Sequence, residues 1–119
     1  MSDFEFVPDY TMYANRFSFL GVPLTEDITQ SDADLAILGI PYDLATSGRP
    51  GTRSGPTAIR QASANLRWEE SRWPWTFELR EHLSVVDCGD LVYPFGDSPA
   101  FVAALEDAAG EIVNSGKIL

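Results

Sequence analysis

Asp34-Leu-Ala-Ile-Leu-Gly-Ile40, running on into Pro-Tyr-Asp-Leu-Ala-Thr-Ser-Gly-Arg-Pro-Gly-Thr-Arg-Ser-Gly-Pro-Thr-Ala-Ile-Arg60, is the stretch that decides the fold. The first part is a continuous apolar run without alternation, the pattern of a parallel strand covered on both faces. A helix is predicted from about Pro56 to Leu66. Proline suits the first helical turn, where no N–H is needed. Ile59, Ala62, Ser63 and Leu66 fall on one stripe that would dock on the sheet. Between strand and helix, Gly48, Gly51 and Gly55 would let the backbone bend, and Arg49 and Arg53 lie among them. Open α/β proteins build their sites in such a loop, after a strand and before a helix.

Outward from this unit the same alternation continues. His82 to Asp87 is predicted as a second strand, with Cys-Gly-Asp-Leu following. Asp87 and Asp90 would then emerge at a carboxyl end, beside Tyr42 and Asp43 if the two strands are neighbours. Acids there could bind a cation, or simply accept backbone N–H bonds. Ser98-Pro99 is predicted to open a second helix, with Ser98 as cap. Phe101, Ala104, Leu105, Ala108, Ile112 and Val113 form its stripe, and Gly116 suits its end. Lys117-Ile118-Leu119 begins another apolar run. The order strand, helix, strand, helix, start of strand gives an α/β fold with a mainly parallel sheet and right-handed crossovers. Two strands and a beginning leave much of both helix stripes without cover. The expectation is the opening part of a longer domain, with 34–119 its α/β portion.

Residues 1–33 are expected to form an irregular aromatic arm, with a turn at Gly21-Val22-Pro23-Leu24. Asp32 and Asp34 make an Asp-x-Asp pair, but they precede a strand, on the side away from α/β sites. From Arg67 to Glu78, three tryptophans and a phenylalanine alternate with charges. This reads either as a half-buried excursion or as a subunit contact, where tryptophan is enriched. His82, the sole histidine, starts its strand and faces away from the expected site.

The 18 acids and 8 bases of the 119 residues leave a formal net charge of −10. That excludes nucleic acid and anionic membrane as natural partners, since both need a positive surface. Cys88 is the only cysteine, so no internal disulfide and no cysteine zinc cluster can form. A reducing cytoplasmic setting follows as the default. The acidic start is not a secretory leader, and the longest apolar run is too short to span a bilayer.

Dinucleotide and P-loop glycine motifs are absent. Ser47, Ser54 or Ser63 as nucleophile would need a histidine, and His82 is badly placed for it. No His/Asp/Glu cluster has metal-ligand spacing. The residues themselves describe part of a pocket wall. An anion-binding module using Arg49, Arg53 and the helix start at Pro56 is one reading of it.

Gly39-Ile-Pro-Tyr-Asp43, Ala45-Thr-Ser-Gly-Arg49, the Gly-x-Arg-x-Gly-Pro-x-Ala-Ile-Arg block from Gly51 to Arg60, Ala64-Asn-Leu66 and Asp87-Cys-Gly-Asp-Leu-Val-Tyr93 closely resemble the arginase/agmatinase (ureohydrolase) family, nearest its bacterial agmatinase branch. The match runs in register from about Asp32 to Leu119 and extends weakly to Asn15-Arg-Phe-Ser-Phe-Leu20. The resemblance implies the start of a three-layer arginase-like fold, assembled as homo-oligomeric trimers or hexamers. It implies two Mn2+ ions that activate a hydroxide, hydrolysing agmatine, a small cationic guanidine, to putrescine and urea. The family's metal ligands lie in later motifs, so no metal ligand and no catalytic residue carries over, and the chain alone is expected to be inactive. What carries over is the substrate-rim loop, Arg49, Gly51, Arg53 and Gly55, with Asp87 and Asp90 in a structural part. Hydrolysis of another guanidine such as guanidinobutyrate, or a non-catalytic interaction piece, are the alternatives.

Overall fold

The apolar run forms strand β1, Leu35–Gly39, and the segment following it leads to helix α1, Gly55–Ser63. Strand β2 is Val85–Asp90 and helix α2 is Ser98–Asn114. This is a computed structural model, and it describes residues 17–68, 76–77 and 81–119. Residues 1–16 of the aromatic arm and residues 69–75 and 78 of the tryptophan-rich excursion therefore lie outside the described residues. No helix among the described residues is long and apolar enough to cross a membrane.

β1 and β2 pair in parallel. Each strand also has a neighbour on its other side. Ile118 bridges in parallel to Leu35 of β1, and Leu24 bridges in parallel to Asp87 of β2. The predicted turn at 21–24 is thus half right: a 3-10 turn occupies Phe19–Gly21, and the chain then runs along the outer edge of β2. The spatial order is Leu24, β2, β1, Ile118, so β1 is an interior strand.

The two helices lie on opposite faces of this sheet. Ala36 and Val86 point to one face and pack with Ile28, Ala33 and Ile112 of α2, with Leu38 and Cys88 beside them. The other face carries Gly39 and Asp87, which meet Pro56 and Arg60 of α1. Right-handed crossovers require this when one steps from β1 to β2 and the next steps back past β1. The connections leaving the carboxyl ends of β1 and β2 therefore diverge. That divergence is a topological switch point, where open α/β sheets form crevices.

Three expectations need correcting. β2 begins three residues later than predicted, so Asp87 lies within the strand and His82 lies ahead of it. His82 is exposed, with its ring 4.8 Å from that of Phe77. Asp97, not Ser98, caps α2 by accepting the Ala100 N–H at 3.0 Å. Of the predicted stripe on α1 only Ser63 is buried: Ile59 is 58% exposed and Leu66 is exposed as well, and the helix meets the sheet through Arg60 instead. The physical reason lies in β2, which offers α1 a carboxylate where an apolar residue was expected.

Of the three loop glycines, only Gly51 needs its freedom, at φ +148°. Gly55 is already helical, at φ −60°. Gly39 is required for a different reason. A methyl group there would overlap the Asp90 carboxylate and come within 3.0 Å of Pro56 Cβ. Asp90 is held by Arg60 and cannot simply swing away. Gly39→Ala is expected to destabilise the chain by about 1–3 kcal/mol, the usual cost of overpacking. Urea denaturation read by circular dichroism measures it, and an unchanged midpoint would refute the crowding.

Candidate functional site

The crevice between the carboxyl ends of β1 and β2 is built around one guanidinium. Arg60, in the last turn of α1, is buried. Its Nε donates to Asp87 Oδ2 at 2.8 Å and its Nη2 to Asp87 Oδ1 at 2.9 Å, a bidentate fork. Its Nη1 donates to Asp90 Oδ1. One helix residue thus ties down two carboxylates of β2.

A bulge in β2 makes this possible. Ile37 pairs with Asp87 but Gly39 pairs with Asp90, so β2 carries one extra residue over that interval. Gly89 absorbs it at φ +75°, a conformation that favours glycine. Without the bulge Asp87 and Asp90 would face opposite sides of the sheet. With it they face α1 together.

Asp87 is fully buried and fully satisfied. Besides Arg60, it accepts the Phe19 N–H at 2.9 Å and the Gly89 N–H at 2.8 Å. Burial pushes its carboxyl pKa up, but Arg60 and the two backbone donors outweigh this, leaving it below the ordinary value. The same ion pairs raise the pKa of Arg60, so it stays charged. Ser63 extends the network: its hydroxyl donates to the Arg60 carbonyl at 2.8 Å and accepts the Leu20 N–H at 2.9 Å. The Phe19–Gly21 turn is thereby fastened to α1 and β2 at once.

A second ion pair shapes the 41–54 loop. Asp43 is buried, and Arg53 donates to its Oδ1 from Nε at 2.8 Å and from Nη2 at 2.7 Å. Its Oδ2 accepts the N–H groups of Gly51 at 2.7 Å and Arg53 at 3.2 Å. The Arg53 hydrogen bonds, helped by the backbone donors, outweigh burial and hold the Asp43 pKa down at about 2. The guanidinium of Arg53 also stacks 5.6 Å from the exposed Phe95 ring. Tyr42 stacks on Phe101 at 3.8 Å, Tyr93 meets both edge-on, and the Tyr93 hydroxyl donates to the Pro41 carbonyl. Ser98, displaced as helix cap, lies 2.7 Å from the Tyr42 hydroxyl.

Of the rim residues read from the sequence, Arg53 and Gly51 are drawn together by Asp43, Gly55 opens α1, and Arg49 is exposed apart from them. Asp87 and Asp90 pair opposite Ile37 and Gly39 of β1. Arg60 is the residue that sequence reasoning passed over. Its signal was present: a cation on a helix one turn after Pro56, with two acids three apart around a glycine. Asp34 accepts the Ser84 N–H at 3.0 Å, and no group of three or more metal-binding side chains occurs among the described residues. Burial and the nearby Asp87 push the Cys88 thiol pKa up, away from reactivity.

The arginase family model matches residues 33–119. The chain is 53% identical over 109 residues to a protein named agmatinase from Neisseria meningitidis serogroup C, covering 92% of this chain and 36% of that one. It is equally similar to an agmatinase of Sodalis glossinidius and 51% identical to one of Citrobacter koseri, with the same coverage. Among solved structures it resembles a hypothetical agmatinase from Burkholderia thailandensis, with a TM-score of 0.80 and 34% identity over 88% of this chain and 32% of that one. The chain thus spans about a third of the length of the relatives it matches.

Arg60→Met leaves the buried Asp87 carboxylate without its cation. At neutral pH this is expected to cost about 3–5 kcal/mol, a large share of the about 5–15 kcal/mol that holds an ordinary domain folded. The gap from wild type should narrow as pH falls and the carboxyls take up protons. Thermal melts at neutral and acid pH check this, and a constant gap would overturn the ionic reading. Asp43 has a separate signature. Its folded pKa is depressed, so its contribution is present above the ordinary carboxylate pKa, near 4, and is lost as pH falls through about 2. In Asp43→Asn the loss of stability across that window should be shallower than in wild type.

Proposed function

The chain belongs to the arginase family, and we propose that it forms part of an agmatinase-type amidinohydrolase, which cleaves the guanidinium of agmatine with water to give putrescine and urea. One observation carries this reading: identity of 50% or more, over 92% of the chain, to proteins that bear that name. The guanidine substrate, homo-oligomeric assembly and cytoplasmic setting belong to the same proposal.

Two manganese ions are the cofactor this reading implies, and the described residues do not fit them. The buried carboxylates of the crevice, Asp43 and Asp87, are each gripped by an arginine. Asp90 shares the Arg60 guanidinium. The part assigned to this chain is therefore to build and brace the wall. Arg60 clamps α1 to the carboxyl end of β2. Asp43 closes the 41–54 loop on itself through Gly51 and Arg53, and Arg49, Gly51, Arg53 and Gly55 are assigned to the rim on the substrate side. Arg53 is a positioning residue here, acting through the loop it anchors.

The 119-residue chain alone is expected to show no tight manganese binding by calorimetry and no urea release from agmatine. A chimera tests the activity itself: residues 1–119 replace the matching segment of the meningococcal relative. It should release urea from agmatine, in preference to guanidinobutyrate or arginine, when supplied with manganese. Arg53→Ala in that chimera should lower kcat/KM about tenfold, or about 1.4 kcal/mol. A folded chimera inactive on agmatine, or preferring another guanidine, would sink the substrate assignment. Unchanged kinetics in Arg53→Ala would remove the rim from it.

A further inference from the structure

From Leu44 to Ser54 the segment between β1 and α1 is exposed at every residue. Its shape comes from Asp43, which grips the Arg53 side chain and the Gly51 N–H. Those bonds close the loop on itself, but they do not decide where the closed loop stands. Arg53 supplies a tie to something outside it. Its guanidinium carbon lies 5.6 Å from the centre of the Phe95 ring, in the segment between β2 and α2.

Phe95 sits on a built turn. The Asp97 N–H donates to the Pro94 carbonyl at 3.2 Å, and Gly96 takes φ +83° within it. On one side of the turn Asp97 caps α2. On the other the Tyr93 hydroxyl donates to the Pro41 carbonyl at 2.7 Å, tying the turn to the chain that leaves β1. The ring is thus presented from a fixed base, yet it is 76% exposed, so burial does not explain its place. An aromatic ring attracts a cation through its quadrupole, which an aliphatic side chain lacks. Asp43 holds the guanidinium through Nε and Nη2, and the ring steadies the same group from the neighbouring loop.

We propose that Phe95 is a positioning residue for the rim: its ring holds the Arg53 guanidinium, and through Arg53 the segment from Gly51, in the place from which it meets substrate. This rests on the amidinohydrolase reading above. It adds a residue of the second loop to a rim drawn from the first alone.

The test uses the same chimera, with residues 1–119 in place of the matching segment of the meningococcal relative, assayed on agmatine. Phe95→Leu should raise KM about two- to fivefold, the scale of one exposed cation–π contact, with kcat and melting temperature unchanged. Phe95→Tyr, which keeps a ring, should retain the wild-type KM. In an Arg53→Ala background Phe95→Leu should change nothing further. In the 119-residue chain itself, the Arg53 Nε–H proton should resonate upfield of its position in Phe95→Leu. An unchanged KM in Phe95→Leu, an equal rise in Phe95→Tyr, a further rise on top of Arg53→Ala, or an Arg53 resonance that Phe95→Leu does not move would each overturn the proposal while leaving the activity in place. A melting temperature that falls along with the rise in KM would do the same, since the ring would then serve the fold alone. A chimera that releases urea from no guanidine would overturn the activity, and this proposal with it.

Discussion

Everything at the carboxyl edge of this sheet depends on the Arg60–Asp87 pair. Asp87 has no exposed surface at all. A carboxylate so placed is tolerable only if every lone pair finds a donor. Arg60 supplies two bonds and the backbone of Phe19 and Gly89 two more. These donors come from α1, from the turn ahead of the sheet and from β2 itself. Four hydrogen bonds thus fix three chain segments to one another. An apolar residue at position 87 would fill space against α1 but would specify no register, while the fork admits one.

The bulge at Gly89 and the smallness of Gly39 follow from that pair. Asp90 joins Asp87 on the α1 face because β2 carries an extra residue, and its carboxylate then occupies the space a side chain at 39 would need. The bulge re-aims a side chain at a strand end, as bulges near sites commonly do. Here the chain's own cation receives the re-aimed group. The neighbouring loop repeats the device on a smaller scale, with Asp43 gathering Gly51 and Arg53.

The alternation of strands and helices was legible because it rests on local patterns. The unbroken apolar run of β1, Pro56 at a helix start and the long stripe of α2 each report one element. The family resemblance was legible from the blocks around Gly39, Gly51–Arg60 and Asp87, and the family match bears it out. What could not be read was pairing between distant residues. The Ile59 stripe looked like a docking face by its spacing, yet Arg60 faces the sheet because of an acid 27 positions away. The start of β2 was misplaced because His82-Leu-Ser-Val-Val has the same apolar density as the true strand. Ser98 resembled a cap as well as Asp97 does. Only the tertiary contact with Tyr42 distinguishes them.

The disposition of charge at the edge bears on where chemistry can lie. A crevice at a switch point is the default place for a ligand in an open α/β sheet. Between β1 and β2 that place is filled by a guanidinium belonging to the protein. Its three carboxylates are each bound to a guanidinium, Asp87 and Asp90 sharing Arg60 and Asp43 taking Arg53. A cationic substrate or a metal pair needs carboxylates that are not already committed. Breaking into the Arg60 node to obtain them would strand a buried charge, at a cost of several kcal/mol. The acids that would meet such a ligand must therefore come from residues outside this crevice.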